Sequence, residues 1–214
     1  MPTIVPRPTD ALLLIDLQKN DFCPGGALAV ADGDAVVPVA NRLARLFDIV
    51  VLTQDWHPAN HRSFASAHPG QAPFTSVGFE HGPQVLWPDH CVQGTPGADF
   101  HPGLDAPMAQ LVLRKGCHPN IDSYSAFFEN DRTTPTGLAG YLRERGCSRV
   151  VLAGLATDFC VAFSAEDAVR CGFEAVVVED GCRASDLEGS LAAARQRLSR
   201  AGVLFAASAD TRWA

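Results

Sequence analysis

No apolar run in the 214-residue chain approaches the roughly 20 residues that cross a bilayer, so membrane-spanning helices and a membrane partner are not expected. Lysine and arginine form no cluster. Seventeen basic side chains stand against 24 acidic ones, a formal net charge of -7, which gives a polyanion no footing and removes nucleic acid from the expected partners. The seven cysteines, at 23, 91, 117, 147, 160, 171 and 182, are odd in number and contain no Cys-x-x-Cys pair. That excludes the main signature of a thiol redox protein and leaves no disulfide framework, as suits a reducing compartment. Internal repeats and low-complexity tracts are also missing. The segment Met1 to Asp10 holds three prolines and no long apolar stretch, unlike a signal peptide, so the expectation is a soluble, cytoplasmic protein.

What is present is an ordinary globular composition, 47% hydrophobic and 19% charged, sufficient for a sizeable core. Short apolar runs without polar alternation recur at Leu12 to Ile15, Ile49 to Leu52, Leu111 to Leu113, Val150 to Leu152, Ala175 to Val178 and Val203 to Phe205. Strands buried on both faces have this pattern. Helical spacing of apolar residues marks Asp34 to Phe47, Thr136 to Arg145, Asp158 to Cys171 and Leu187 to Arg200. Strands alternating with helices predict an α/β fold, a three-layer α/β/α domain over residues 1–214 with a central, mostly parallel six-stranded sheet. Residues 54–109 break the rhythm. They are rich in Pro and Gly and carry six of the seven histidines and two of the three tryptophans, and long loops in compact domains usually serve function.

Ligands of open parallel sheets bind beyond the carboxyl ends of the strands. There the first strand delivers Asp16, the second Asp55 and His57, the third Arg114 and Lys115, and the fourth Ala156 to Cys160. Each residue alone has a plain structural reading: a buried small thiol, a carboxylate bonded to nearby amides, a solvated lysine. Together they offer a thiol beside a base and a positive charge, the combination that makes cysteine a nucleophile. Cys160 also falls in the first turn of an expected helix, where the dipole favours a thiolate. Asp55-x-His57, His61 and His90 suit ligation of zinc, iron or manganese, although spacing alone equally fits an exposed polar loop.

These residues resemble the nicotinamidases of the isochorismatase-like cysteine hydrolases. The likeness runs through Leu14-Ile15-Asp16-Leu17-Gln18, Asn20-Asp21-Phe22-Cys23-Pro24-Gly25-Gly26, Thr53-Gln54-Asp55-Trp56-His57-Pro58, Trp87-Pro88-Asp89-His90-Cys91, Lys115-Gly116, Asp122-Ser123-Tyr124-Ser125-Ala126-Phe127 and Gly154-Leu155-Ala156-Thr157-Asp158-Phe159-Cys160. It implies a triad of Asp16, Lys115 and Cys160 and an oxyanion hole from the Ala156 and Cys160 amides. It further implies a cis peptide at Leu155-Ala156, substrate contacts at Phe22, Trp87 and Leu155, and one divalent metal, zinc first, on Asp55, His57 and His90. The implied reaction is hydrolysis of nicotinamide through a Cys160 thioester, the metal holding the pyridine nitrogen, with pyrazinamide also accepted and a homo-oligomer left open. Lys19 departs from the family pattern, lengthening the path from Asp16 to Phe22, and members differ on whether a residue at the place of His61 reaches the metal.

Three other readings stand beside this one. Amidases of ureido or carbamoyl substrates generally lack the metal ligands. Hydrolases of isochorismate lack the cysteine. A catalytically silent nicotinamide-binding module would have no use for an intact triad.

Overall fold

The computed structural model describes residues 4–19 and 22–210. In chain order the elements are β1 (Asp10–Ile15), α1 (Val37–Ala44), β2 (Ile49–Asp55), β3 (Ser76–Phe79), β4 (Gly82–Val85), β5 (Leu111–Lys115), α2 (Leu138–Glu144), β6 (Arg149–Leu155), α3 (Ala162–Arg170), β7 (Glu174–Arg183), α4 (Ser190–Ala201) and β8 (Leu204–Ala206). Six strands form one sheet in the order β5-β2-β1-β6-β7-β8, with every neighbouring pair parallel. The expected six apolar runs are these six strands, and the sheet is wholly rather than mostly parallel. β3 and β4 form a separate antiparallel hairpin inside the 54–109 segment, where no periodic element was expected.

The apolar runs lack alternation because both faces of the sheet are covered. On β1, Leu12 and Leu14 join the core under α1 with Val39, Ala40 and Leu43, while Ala11, Leu13 and Ile15 join the opposite core with Leu138 of α2, Ala165 of α3 and Leu198 of α4. Successive side chains of a strand point to opposite faces, so a strand sandwiched between layers must be apolar throughout. Among the described residues no helix is long and apolar enough to cross a membrane.

The chain leaves β1 towards β2 and β5 on one side, then returns to β6 on the other, so strand order reverses between β1 and β6. At the amino ends of these strands Arg149 Nε donates to the buried Asp10 carboxylate at 3.0 Å, fixing their register away from the crevice. At the carboxyl ends the backbones crowd. A Cβ at Gly154, whose φ is +132°, would lie 2.1 Å from the Ile15 carbonyl oxygen, so only glycine lets β6 pass β1 here. Gly154→Ala should cost about 3 to 5 kcal/mol, through backbone strain and steric overlap that no side-chain rotation relieves. Urea unfolding checks this, and a loss under 1 kcal/mol would mean the crevice is looser than described.

Candidate active site

Beyond the β1/β6 reversal, four strand ends converge on one buried ammonium. Lys115, the last residue of β5, places Nζ 2.9 Å from Asp16 Oδ2, 2.5 Å from Asp55 Oδ1, 2.9 Å from the Ser123 carbonyl oxygen and 3.5 Å from Cys160 Sγ. Asp16 follows β1 with φ +49°, and its Oδ1 accepts a hydrogen bond from Thr53 Oγ1 on β2 at 2.6 Å. Its Oδ2 accepts no well-aligned hydrogen bond, although it is ion-paired with Lys115, which leaves one buried oxygen able to take a proton. Asp16, Asp55 and Cys160 each present an atom within 4.8 Å of the others. The three triad residues expected from the sequence are therefore in contact.

Cys160 reaches this point by a route the sequence did not foreshadow. Helix periodicity placed it in the first turn of an α-helix, whereas Thr157–Val161 is a single π turn preceding α3. The Ala156 carbonyl accepts the amides of both Phe159 and Val161, at 3.2 and 3.1 Å. Such wide turns often mark functional positions. The Leu155-Ala156 peptide is cis, as the resemblance implied. Burial pushes the Cys160 thiol well above the usual range, Lys115 opposes this, and the Asp16 and Asp55 carboxylates reinforce it. Lys115 behaves oppositely: burial alone would lower its pKa, but Asp16 and Asp55 outweigh burial and hold it charged.

A second cluster lies beside the first. His57 Nε2 and His90 Nε2 each stand 3.9 Å from Asp55 Oδ2, less than twice a metal–ligand bond of about 2.1 Å, so one ion can touch all three residues. His57 Nδ1 donates to the Gly116 carbonyl at 3.0 Å and His90 Nδ1 to the Pro88 carbonyl at 2.9 Å, which turns both Nε2 atoms towards Asp55. Gly116 is glycine because a Cβ there would lie 2.4 Å from His57 Cε1. Burial holds the His57 pKa well below the histidine range, giving the neutral imidazole a metal requires. Asp16 and Asp55 pair with the Lys115 ammonium, and burial raises the Asp55 carboxyl well above its usual range, opposed by Lys115 and reinforced by Asp16 and Asp122, a cost that a bound divalent cation would relieve. The donor set and charge thus fit zinc, iron or manganese. His61 is not part of this set, its Nδ1 being bonded to Ser63 Oγ at 2.7 Å and its Nε2 to the His118 carbonyl at 2.8 Å, although it forms with His57 and Asp122 a second group whose ligand atoms are close enough to share an ion.

Both clusters open into one cavity. Phe22, Trp87, Ala156, Cys160, Asp55 and His90 line it, joined by Leu28, Asp122, Tyr124, Phe159 and Ser185. Lys19 therefore does not displace Phe22, although Asn20 and Asp21 of the same motif lie outside the described residues. Leu155 does not line the cavity. Strand alternation at the end of β6 sends its side chain into the core under α1 instead. Sequence reasoning assigned no role to Tyr124 or Phe159. Trp87 packs edge-on against Phe159 at 5.0 Å, and its Nε1 donates to Tyr124 Oη at 3.1 Å, so the three rings make one wall. The only signal was their presence in motifs whose other residues had roles.

Residues 10–210 match the isochorismatase domain family. The chain is 56% identical over 193 residues, 90% of each chain, to a nicotinamidase of Acinetobacter baylyi. It superposes on a nicotinamidase/pyrazinamidase from Acinetobacter baumanii with a TM-score of 0.94 and 55% identity, covering 95% of this chain and 98% of that one. It also superposes on a pyrazinamidase of Pyrococcus horikoshii in complex with zinc, with a TM-score of 0.75 and 34% identity over 93% and 99% of the two chains.

Proposed function

The chain belongs to the isochorismatase family, and within it we propose that this protein is a metal-dependent amidase that hydrolyses nicotinamide to nicotinate and ammonia. One observation carries the reading: a single cavity presents the Cys160 thiol on one wall and the Asp55 and His90 ligands on another, with Lys115 between them beneath the floor. A flat ring with a nitrogen meta to a carboxamide has one group to present to each wall. Phe22, Trp87 and Phe159 supply apolar faces for it.

The chemistry starts from the Cys160 thiol beside Asp16. Asp16 Oδ2 takes the proton of Cys160 as sulfur attacks the carboxamide carbon, and Lys115, in contact with both, stabilises the negative charge as it moves from the carboxylate to sulfur. The Ala156 and Cys160 amides hold the developing oxyanion, a contribution worth about 3 to 4 kcal/mol per donor. Protonated Asp16 then gives its proton to the departing nitrogen, the C–N bond breaks, and ammonia leaves a thioester on Cys160. Water gives a proton to Asp16 and attacks the thioester, and as the C–S bond breaks the proton returns to sulfur. When bound at Asp55, His57 and His90, the metal supplies a Lewis-acid contact for the ring nitrogen.

The test compares nicotinamide, pyrazinamide and benzamide in a coupled ammonia assay. The first two carry a nitrogen meta to the amide and should be hydrolysed. Benzamide, lacking it, should lose about 100-fold or more in kcat/KM because nothing fixes its ring. Equal turnover of benzamide and nicotinamide would overturn the role given to the metal end of the cavity.

A further inference from the structure

Outside the catalytic cavity lies an open hollow whose side chains are apolar but for Ser185 and include no charged group, with polar backbone exposed between them. Ala27, Ala29 and Ala31 form one side, Phe74 a second, and Ala184 and Leu187 a third. Leu28, Trp87 and Ser185 border both spaces, so the hollow adjoins the cavity. Phe74 is 52% exposed, an uncommon position for so large an apolar side chain. It is held there by a left-handed backbone, φ +70°, and an edge contact to Trp87 at 6.1 Å.

The third side is built rather than loose. Asp186 and Glu188 both have positive φ, a conformation costly for non-glycine residues to hold without support. The support is Asp158, 2% exposed in the π turn of the nucleophile. Its carboxylate accepts the Ser185 amide at 3.0 Å, the Asp186 amide at 2.8 Å and Ser190 Oγ at 2.5 Å. The wall of the hollow is thereby braced to the segment that carries Cys160.

Ring geometry says which substrate atom faces this hollow, given the proposed function on which the inference rests. Lys115 Nζ touches both Asp55 and Cys160, so the two anchors of the ring converge on the floor. With N1 towards the metal ligands and the C3 carboxamide at Cys160, the vertex between them, C2, faces Lys115. The opposite vertex, C5, faces the mouth. We propose that the hollow is a specificity subsite for an apolar group on C5, so that this enzyme takes 5-alkyl pyridine-3-carboxamides as well as the unsubstituted amide.

The experiment measures kcat/KM of the metal-loaded enzyme for nicotinamide, 5-propylnicotinamide and 2-methylnicotinamide, in the wild type and in Ala31→Asp, which alters the hollow only. In the wild type the 5-propyl compound should match or exceed nicotinamide, and the 2-methyl compound should fall by about 100-fold because its substituent meets the floor. Ala31→Asp should leave nicotinamide within about twofold and cut the 5-propyl compound about tenfold, as a carboxylate faces the alkyl chain. Calorimetric binding of both amides to metal-loaded Cys160→Ala reads the subsite whether or not ammonia is released. Failure to hydrolyse nicotinamide therefore counts against the amidase reading and not against the subsite. A 5-propyl compound that is both hydrolysed and bound tenfold worse than nicotinamide, or an Ala31→Asp effect equal for both, overturns the proposal.

Discussion

Cys160→Ala should remain folded and release ammonia from nicotinamide at least about 10⁴-fold more slowly than wild type, the scale on which removal of a covalent nucleophile acts. The substitution deletes one sulfur from a small buried side chain, so its cost to stability is small beside its cost to activity. The geometry leaves no substitute. Cys160 is the one cysteine on the cavity wall, and Asp16, which remains in the variant, is ion-paired to Lys115 behind it. Rapid quenching of wild type should trap a nicotinoyl adduct, and peptide mass mapping should find it on Cys160 alone. Residual activity within about tenfold of wild type would mean that water attacks directly and that the thiol is a bystander.

Stripping the metal should be the second large effect. Enzyme treated with a chelator and desalted should lose at least about 100-fold in kcat/KM for nicotinamide, because without the ion nothing holds the ring nitrogen. Adding zinc, iron or manganese should restore it. His90→Ala should lose the same activity without recovery, since it removes one of three donors while Asp55 remains paired with Lys115. Metal analysis gives a second readout, expected at one ion per chain in wild type and well below that in His90→Ala. Thermal unfolding gives a third, because an ion that binds only the folded chain stabilises it by about 4 kcal/mol at a thousandfold excess over Kd. Full activity in a verified metal-free sample would remove the ion from the reaction.

The Cys160 thiol shows how opposing effects are resolved here. A helix terminus and a neighbouring lysine both favour thiolate, and from sequence they were the visible influences. Burial and two nearby carboxylates win against them. The balance favours the neutral thiol, and Asp16 Oδ2 stands beside it as the acceptor for its proton.

The sequence by itself determined the sheet, because a strand covered on both faces must be apolar at every position and that leaves an unbroken run that can be read directly. It also determined which residues stand at the strand ends, and so brought Asp16, Asp55, Lys115 and Cys160 to one rim before any distance was known. Tertiary structure alone decided the rest, for reasons of range and direction. The π turn at Thr157–Val161 differs from an α turn by one hydrogen-bond partner, a choice that side-chain periodicity does not record. The hairpin of β3 and β4 escaped notice because only one of its eight residues is fully buried, which leaves little apolar pattern. Both ring nitrogens of His61 are engaged, one by the Ser63 hydroxyl and one by the His118 carbonyl, the latter 57 positions away. Leu155 turns into the core by strand alternation, while Tyr124 and Phe159 join Trp87 from other parts of the chain. Local propensity encodes which elements form. Which ring nitrogen is already bonded, which carboxylate oxygen is left for a proton, and which side chains share a wall depend on contacts between distant segments.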